Sequence, residues 1–252
     1  VYKRQRLLHG DCLAMLKEVE PGSVDLILCD PPYSSGGTHA GDRKASTTAK
    51  YTDNDFNGAA RLPAFSGDNM DQRSFTAFMR WVCSELRQKT REGGILEMFV
   101  DWRNLPAMTD AVQMAGWVWR GVVVWDKGIS RNQPGRFRND CEFVVWCSNG
   151  DLPIDWKAAK GTKAMPGVYH VPIVAPKQRF HQTEKPVELL ESLLAICPPG
   201  GTVLDAFMGS GSTGVAAVKT GRSFIGMELS DQYFDTATKR IQEAEDELLN
   251  DF

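Results

Sequence analysis

Thr202-Val203-Leu204-Asp205-Ala206-Phe207-Met208-Gly209-Ser210-Gly211-Ser212-Thr213-Gly214 decides the fold. Thr202 to Phe207 is a short apolar run that predicts a strand, Gly209-x-Gly211-x-x-Gly214 predicts a tight turn, and Thr213 to Thr220 predicts a helix. In such a strand–turn–helix the backbone approaches a nucleotide-like ligand closely, because glycine carries no Cβ to collide with it. The next predicted strand, Ser223 to Glu228, ends nineteen residues past Gly209 in a carboxylate able to accept both hydroxyls of a ribose.

NAD is the default ligand of such a turn. A Walker phosphate loop is excluded, since Val215 stands where lysine is required. Only 38 residues follow Gly214, room for a helix, a strand and a second helix. The other strands of a doubly wound sheet are therefore expected upstream. There, Arg6 to His9, Val24 to Asp30, Gly94 to Asp101, Trp117 to Asp126 and Glu142 to Cys147 are apolar runs, most of them apolar on both faces as in a sheet covered on each side. With the two downstream they make seven strands in one mostly parallel α/β sheet. Predicted helices are Cys12 to Glu18, Ser74 to Lys89, Asn104 to Ala115, Pro186 to Cys197, Thr213 to Thr220 and Ser230 to Asn250. The last spaces Tyr233, Ala237, Ile241 and Ala244 along one face, with Ser230 as its cap.

The strand from Val24 runs into Asp30-Pro31-Pro32-Tyr33, which sets a carboxylate, a stiff prolyl pair and an aromatic ring at a strand's C-terminal end. In open α/β sheets ligands bind at that edge. The prolines fix φ and lack N–H groups, so nearby carbonyls are free to face a ligand. The exocyclic amino nitrogen of a nucleobase is a poor nucleophile because its lone pair is delocalised into the ring. Asp30 and the Pro31 carbonyl, each accepting one amino hydrogen, would draw that nitrogen toward tetrahedral geometry and stabilise the charge that grows as it attacks an electrophilic methyl. Tyr33 offers a ring face for stacking the base. The bland alternative for Tyr33 alone is an ordinary strand-end turn.

Taken with the glycine loop, these residues resemble the amino-group DNA methyltransferases that use S-adenosylmethionine, in the circularly permuted order called the β class. There D-P-P-Y precedes F-x-G-x-G, here Phe207-Met208-Gly209-Ser210-Gly211. Further matching pieces are Gly10-Asp11-Cys12-Leu13, Trp125-Asp126-Lys127 with Glu142, and His181-Gln182-Thr183-Glu184-Lys185-Pro186. The resemblance implies a Rossmann-like methyltransferase fold with loop insertions, forming one catalytic domain over residues 1–252. It implies that Asp11 and Cys12 contact the cofactor's adenine and Glu228 its ribose, that Asp205, Phe207, Gly209, Gly211 and Ser212 line the methionine and sulfonium region with Asp30 adjacent, and that Thr183 and Lys185 sit near its carboxylate. Asp30, Pro31, Pro32 and Tyr33 would hold the target base. Glu184 and Ala206 stand where the family often shows Gln and Pro. The alternative reading of Asp11, somewhat behind the cofactor role, is a helix N-cap. D-P-P-Y implies adenine N6, with cytosine N4 as the alternative; cytosine C5 chemistry is discounted because Pro-Cys-Gln is missing and Cys197 lies in Ile-Cys-Pro-Pro. Rival classes are an NAD-dependent oxidoreductase, which leaves D-P-P-Y idle, and a non-catalytic DNA-binding relative.

Composition fits. With 252 residues, 42% of them hydrophobic, the chain buries one large core. No apolar run approaches the roughly 20 residues of a membrane span, so a cytoplasmic protein is expected. The six cysteines form no CxxC pair and no zinc spacing with the four histidines; reduced core thiols and no metal are expected. The net charge of −3 conceals a basic middle: Arg120 to Lys185 holds eleven Lys or Arg against six Asp or Glu. Within it, residues 130–180 are expected to recognise double-stranded DNA, with Arg131, Arg136, Arg138, Lys177 and Arg179 as phosphate or base contacts beside Lys157, Lys160 and Lys163. A base in a duplex must be flipped out to reach a strand-end pocket. Residues 34–72, poor in aliphatics and next to Tyr33, are expected to form a mobile loop that orders over that base. A homodimer on a palindromic site is the arrangement analogy offers.

Overall fold

The computed structural model describes residues 5–33, 70–128, 134, 135, 137–153, 164–181 and 183–250. Its strands are β1 (Gln5–His9), β2 (Val24–Cys29), β3 (Thr90–Val100), β4 (Val118–Asp126), β5 (Cys141–Ser148), β6 (Val168–His170), β7 (Thr202–Asp205) and β8 (Ser223–Glu228). Its helices are α1 (Cys12–Met15), α2 (Gln72–Lys89), α3 (Leu105–Met114), α4 (Val187–Leu193), α5 (Ser212–Lys219) and α6 (Asp231–Asn250). The strands form one sheet in the order β1-β8-β7-β2-β3-β5-β4-β6. Only β5 among these runs against the others, pairing antiparallel with both β3 and β4.

Both faces of the sheet are covered, as the two-sided apolar strands require. Along β2, Ile27 and Cys29 point to a core with Phe75, Met79 and Leu86 of α2 and Met108 and Val112 of α3. Leu26 and Leu28 point the other way, to Leu189 and Leu193 of α4, Ala216 of α5 and Ile241 of α6. Tyr233, Ala237, Ile241 and Ala244 are buried along α6 as their spacing predicts.

The sheet departs from expectation in places. Among the described residues it has eight strands, not seven: β6 arises inside the segment 130–180 expected to recognise DNA, pairing with β4 from Val124–Val168 to Asp126–His170. Beneath it Trp125 Nε1 donates to the Val171 carbonyl at 2.7 Å. β4 is largely exposed or half-buried instead of covered on both faces, because among the described residues only the three of β6 lie beyond it in the sheet. β3 begins at Thr90, directly after α2, and runs through Gly93 and Gly94. Those glycines are no break: a Cβ on Gly93 would lie 2.5 Å from Pro153. α2 begins at Gln72, capped by Asp71, whose carboxylate accepts from the amides of Arg73 and Ser74 at 2.9 and 3.0 Å. The expected mobile loop, residues 34–72, falls outside the described residues as far as residue 69. Five of the six free cysteines are buried and Cys141 is half-buried. Among the described residues no helix is long and apolar enough to cross a membrane, and no cluster of His, Cys, Asp or Glu is placed to hold a metal.

Candidate active site

Four adjacent parallel strands, β1, β8, β7 and β2, all deliver their C-terminal ends to one edge of the sheet. After β7 the chain turns toward β8, and after β2 it crosses to β3 on the opposite side. The β7/β2 boundary is therefore the point at which a crevice opens in a doubly wound sheet. A cavity of about 540 Å³ lies there, within the usual range of small-molecule sites. Its walls include Asp11 and Cys12 after β1, Asp30 to Tyr33 after β2, Thr183 and Lys185, Asp205 to Ser210 with Ser212 after β7, and Glu228 after β8. The D-P-P-Y corner and the glycine loop, more than 170 residues apart in sequence, thus face one space.

Gly211 does not line the cavity. Its φ is +84°, and a Cβ there would lie 2.9 Å from the Ala237 backbone, so its part is to let the loop lie against α6. A Cβ on Gly214 would meet Ile241 at 2.4 Å, so the third glycine serves the packing of α5 on α6. The Gly209 amide donates to Glu228 Oε2 at 3.0 Å and the Ser230 amide to Oε1 at 2.8 Å, which fixes the carboxylate at the cavity edge. Burial raises its pKa against those two donors. Asp11 caps α1, accepting from the Leu13 and Ala14 amides at 3.0 and 3.3 Å, and still lines the cavity.

At the other wall, Lys185 is only 5% exposed, and its Nζ donates to Asp30 Oδ2 at 2.5 Å and to the Tyr33 hydroxyl at 3.2 Å. It lies 3.4 Å from Glu142 Oε2, with the faces of Phe99 and Tyr33 about it. The Tyr33 hydroxyl donates to Glu142 Oε2 at 3.1 Å, and Lys127 Nζ reaches Glu142 Oε1 at 3.1 Å. The Tyr33 carbonyl accepts from Asn104 Nδ2. Lys185 lines the cavity with its charge matched by Asp30 and Glu142. Burial would depress its pKa, but the two carboxylates raise it. Burial pushes Asp30 up to about 6, with Lys185 pulling against it, while Glu142, equally buried, is held low by Lys185 and Lys127. Asp30 Oδ1 is buried with no hydrogen-bond partner. Beside it Asp205 is pushed up to about 7 by burial, despite donation from the Phe207 amide at 2.9 Å.

Several lining residues were given no site role from sequence, among them His181, Glu184 and Tyr233. His181 packs on Tyr233 with ring centroids 4.4 Å apart, and its Nδ1 accepts from the Thr183 amide at 3.2 Å. Burial and Lys185 bring its pKa down to about 4, so it is neutral. Tyr233 is both helix core and cavity wall. Of the expected DNA contacts, Arg131 and Arg136 lie outside the described residues, as do Lys157, Lys160 and Lys163. Arg138 pairs with Asp140 at 2.9 Å, Lys177 is exposed, and Arg179 Nε donates to the Val174 carbonyl at 2.8 Å.

The N6/N4 DNA methylase family matches this sequence over residues 24–239. The chain belongs to this DNA methylase family. YubD of Escherichia coli (strain K12) is 29% identical over 241 residues, spanning 94% of this chain and 89% of its own. Among solved structures, the M1.HpyAVI–SAM complex superposes with a TM-score of 0.67 at 22% identity, covering 94% of this chain and 98% of the other. The cytosine-N4-specific PvuII DNA methyltransferase gives 0.69 at 15% identity, covering 98% and 93%. The shared architecture is the mostly parallel methyltransferase sheet, and membership in a DNA methylase family removes the oxidoreductase reading.

Proposed function

We propose that this DNA methylase transfers a methyl group from S-adenosylmethionine to N6 of an adenine extruded from duplex DNA. One observation carries the reading: Asp30, with its unpartnered Oδ1, and the glycine loop with Glu228 line the same cavity.

The lining also fits the cofactor's charge. Asp11, Asp30, Glu184, Asp205 and Glu228 are acidic, and Lys185, the one lysine or arginine on the wall among the described residues, is already matched by two carboxylates. Such a wall suits a cation and repels a diphosphate. Glu228 would hold the ribose, Asp11 and Cys12 would flank the adenine, and Asp205, Phe207, Gly209 and Ser212 with Thr183 would enclose the amino-acid end. When bound, S-adenosylmethionine supplies an electrophilic methyl on sulfur and a neutral thioether leaving group.

This chain's residues prepare the nucleophile. Lys185 anchors Asp30 Oδ2, leaving Oδ1 to accept one hydrogen of the amino group; the Pro31 carbonyl would take the other. Two fixed acceptors localise the lone pair on nitrogen and stabilise its developing positive charge. Tyr33, held by Glu142 and Asn104, presents its ring to the base. Adenine is favoured over cytosine by Asp at the first position of D-P-P-Y. The basic segment 130–180 would supply phosphate contacts, and a homodimer would suit a palindromic site.

Incubation with labelled S-adenosylmethionine and duplex DNA, followed by digestion to nucleosides, tests this reading. N6-methyladenine is expected; N4-methylcytosine would overturn the base assignment, and no methylated nucleoside would overturn the activity.

A further inference from the structure

Glu184 lines the cavity and reaches back to the helix behind it. Its Oε1 accepts from Arg240 Nη2 at 2.7 Å and from Ser212 Oγ at 3.3 Å, and its Oε2 from the amides of Phe180 and His181 at 2.6 and 3.4 Å. The other nitrogen of the Arg240 fork, Nη1, donates to the Ser210 carbonyl at 2.8 Å and to Ser210 Oγ at 2.9 Å. The guanidinium lies over the Phe180 ring, 4.5 Å from its centroid. The pair is nearly sealed from water, with Glu184 4% and Arg240 12% exposed.

The Arg240, Ser212, Phe180 and His181 groups that meet the Glu184 carboxylate are all donors. A glutamine here would have one acceptor oxygen and would turn its NH₂ toward donors on one side or the other. Only a carboxylate satisfies both sides, and a buried carboxylate needs a cation, which Arg240 supplies. Arg240 is absent from the cavity wall yet is bonded to the glycine loop directly and to the 180–185 segment through Glu184. Its planar fork suits it to bridge the two.

We infer that Glu184 and Arg240 are positioning residues that set affinity for the amino-acid end of S-adenosylmethionine, by fixing the glycine loop against the segment bearing His181, Thr183 and Lys185. This rests on the function proposed above and goes beyond it, since neither residue touches the reacting atoms. The pair lies on the donor side of the cavity, so it acts on cofactor binding more than on the chemical step.

The test is calorimetric titration of S-adenosylmethionine into the unaltered protein and into E184Q, R240K, R240A and E184Q/R240M, with kcat at saturating cofactor and melting temperature measured alongside. Loss of a buried charge-assisted contact is expected to raise Kd about tenfold or more in the single variants, with kcat at saturation changed less than about threefold. The double variant should bind no worse than the weaker single one, because the two side chains act as a unit. Should R240A not fold, R240K keeps the charge but loses the fork and carries the same expectation. Folded single variants with Kd within twofold of the unaltered protein, whether or not they melt earlier, would overturn the inference, as would a fall in kcat with Kd unchanged. If the unaltered protein binds no S-adenosylmethionine, the underlying function fails instead.

Discussion

Lys185 Nζ lies 2.5 Å from Asp30 Oδ2 across 155 residues of chain, so one oxygen of the carboxylate is committed while the other, Oδ1, has no partner. A buried acceptor left unsatisfied costs about 1–3 kcal/mol, a cost relieved when a substrate N–H reaches it. Asp30→Ala is accordingly expected to lower turnover by about two orders of magnitude or more while S-adenosylmethionine still binds. Near-normal turnover in a nucleoside assay would remove Asp30 from its role.

The acid limb of kcat/KM should report Asp30. Its pKa is pushed up to about 6, and only the carboxylate accepts from the amino group, so activity is lost as pH falls through about 6. Lys185 lowers that pKa, so Lys185→Met should move the limb to higher pH and activity at pH 7 should fall more than at pH 8. A limb in the same place for both proteins would show that the ammonium does not tune Asp30.

Tyr33 has two separable parts. Tyr33→Phe keeps the ring and loses the bond to Glu142, and a drop in turnover of only a few-fold is expected. Tyr33→Ala also loses the stacking face, worth about 1–3 kcal/mol per base. The fluorescence of 2-aminopurine at the target position should then report less extrusion. Equal defects in the two variants would contradict the assignment of the ring to the base.

Glu97, in the middle of β3, is buried with Oε2 unpartnered, and burial raises its pKa to about 8. The folded protein therefore holds a proton there that the unfolded chain releases near pH 4.5, and stability drains away as pH rises between those values. Glu97→Gln should flatten that decline, with a gain in melting temperature that grows from pH 5 to pH 8. An identical pH dependence for both proteins would mean that Glu97 finds a partner.

Gly211→Ala places a Cβ 2.9 Å from the Ala237 backbone at a φ of +84°, so neither the loop nor the helix yields easily. A loss of about 1–3 kcal/mol in denaturant unfolding is expected. A change below 0.5 kcal/mol would show that the loop has room to shift.

The apolar runs made β2, β5, β7 and β8 legible in sequence, because strands covered on both faces carry their signal locally. β6 was not: its burial alternates exposed, half-buried, exposed over three residues, and only pairing with β4 makes it a strand. The D-P-P-Y corner and the glycine loop were legible because prolines and glycines constrain backbone whatever surrounds them. The ion pairing of Lys185 was not legible for the opposite reason. A lysine's burial depends on what faces it, and its partners, Asp30 just past β2 and Glu142 on β5, are not placed side by side by sequence order. Arg240 carried no sign at all, being one more charge on a helix whose outer face is charged throughout.

β2 and β7 pair only through Leu26–Val203 and Ile27–Leu204, and across this narrow seam the half of the sheet bearing the glycine loop (β7, β8, β1) meets the half bearing the D-P-P-Y corner (β2 to β6). Among the described residues no segment joins the tips at Cys29 and Asp205 directly. For the function proposed above, the order in which the two halves leave the ribosome would then be immaterial: a gene spliced in the opposite order would bring the same two acids together, provided that the two tips still dock.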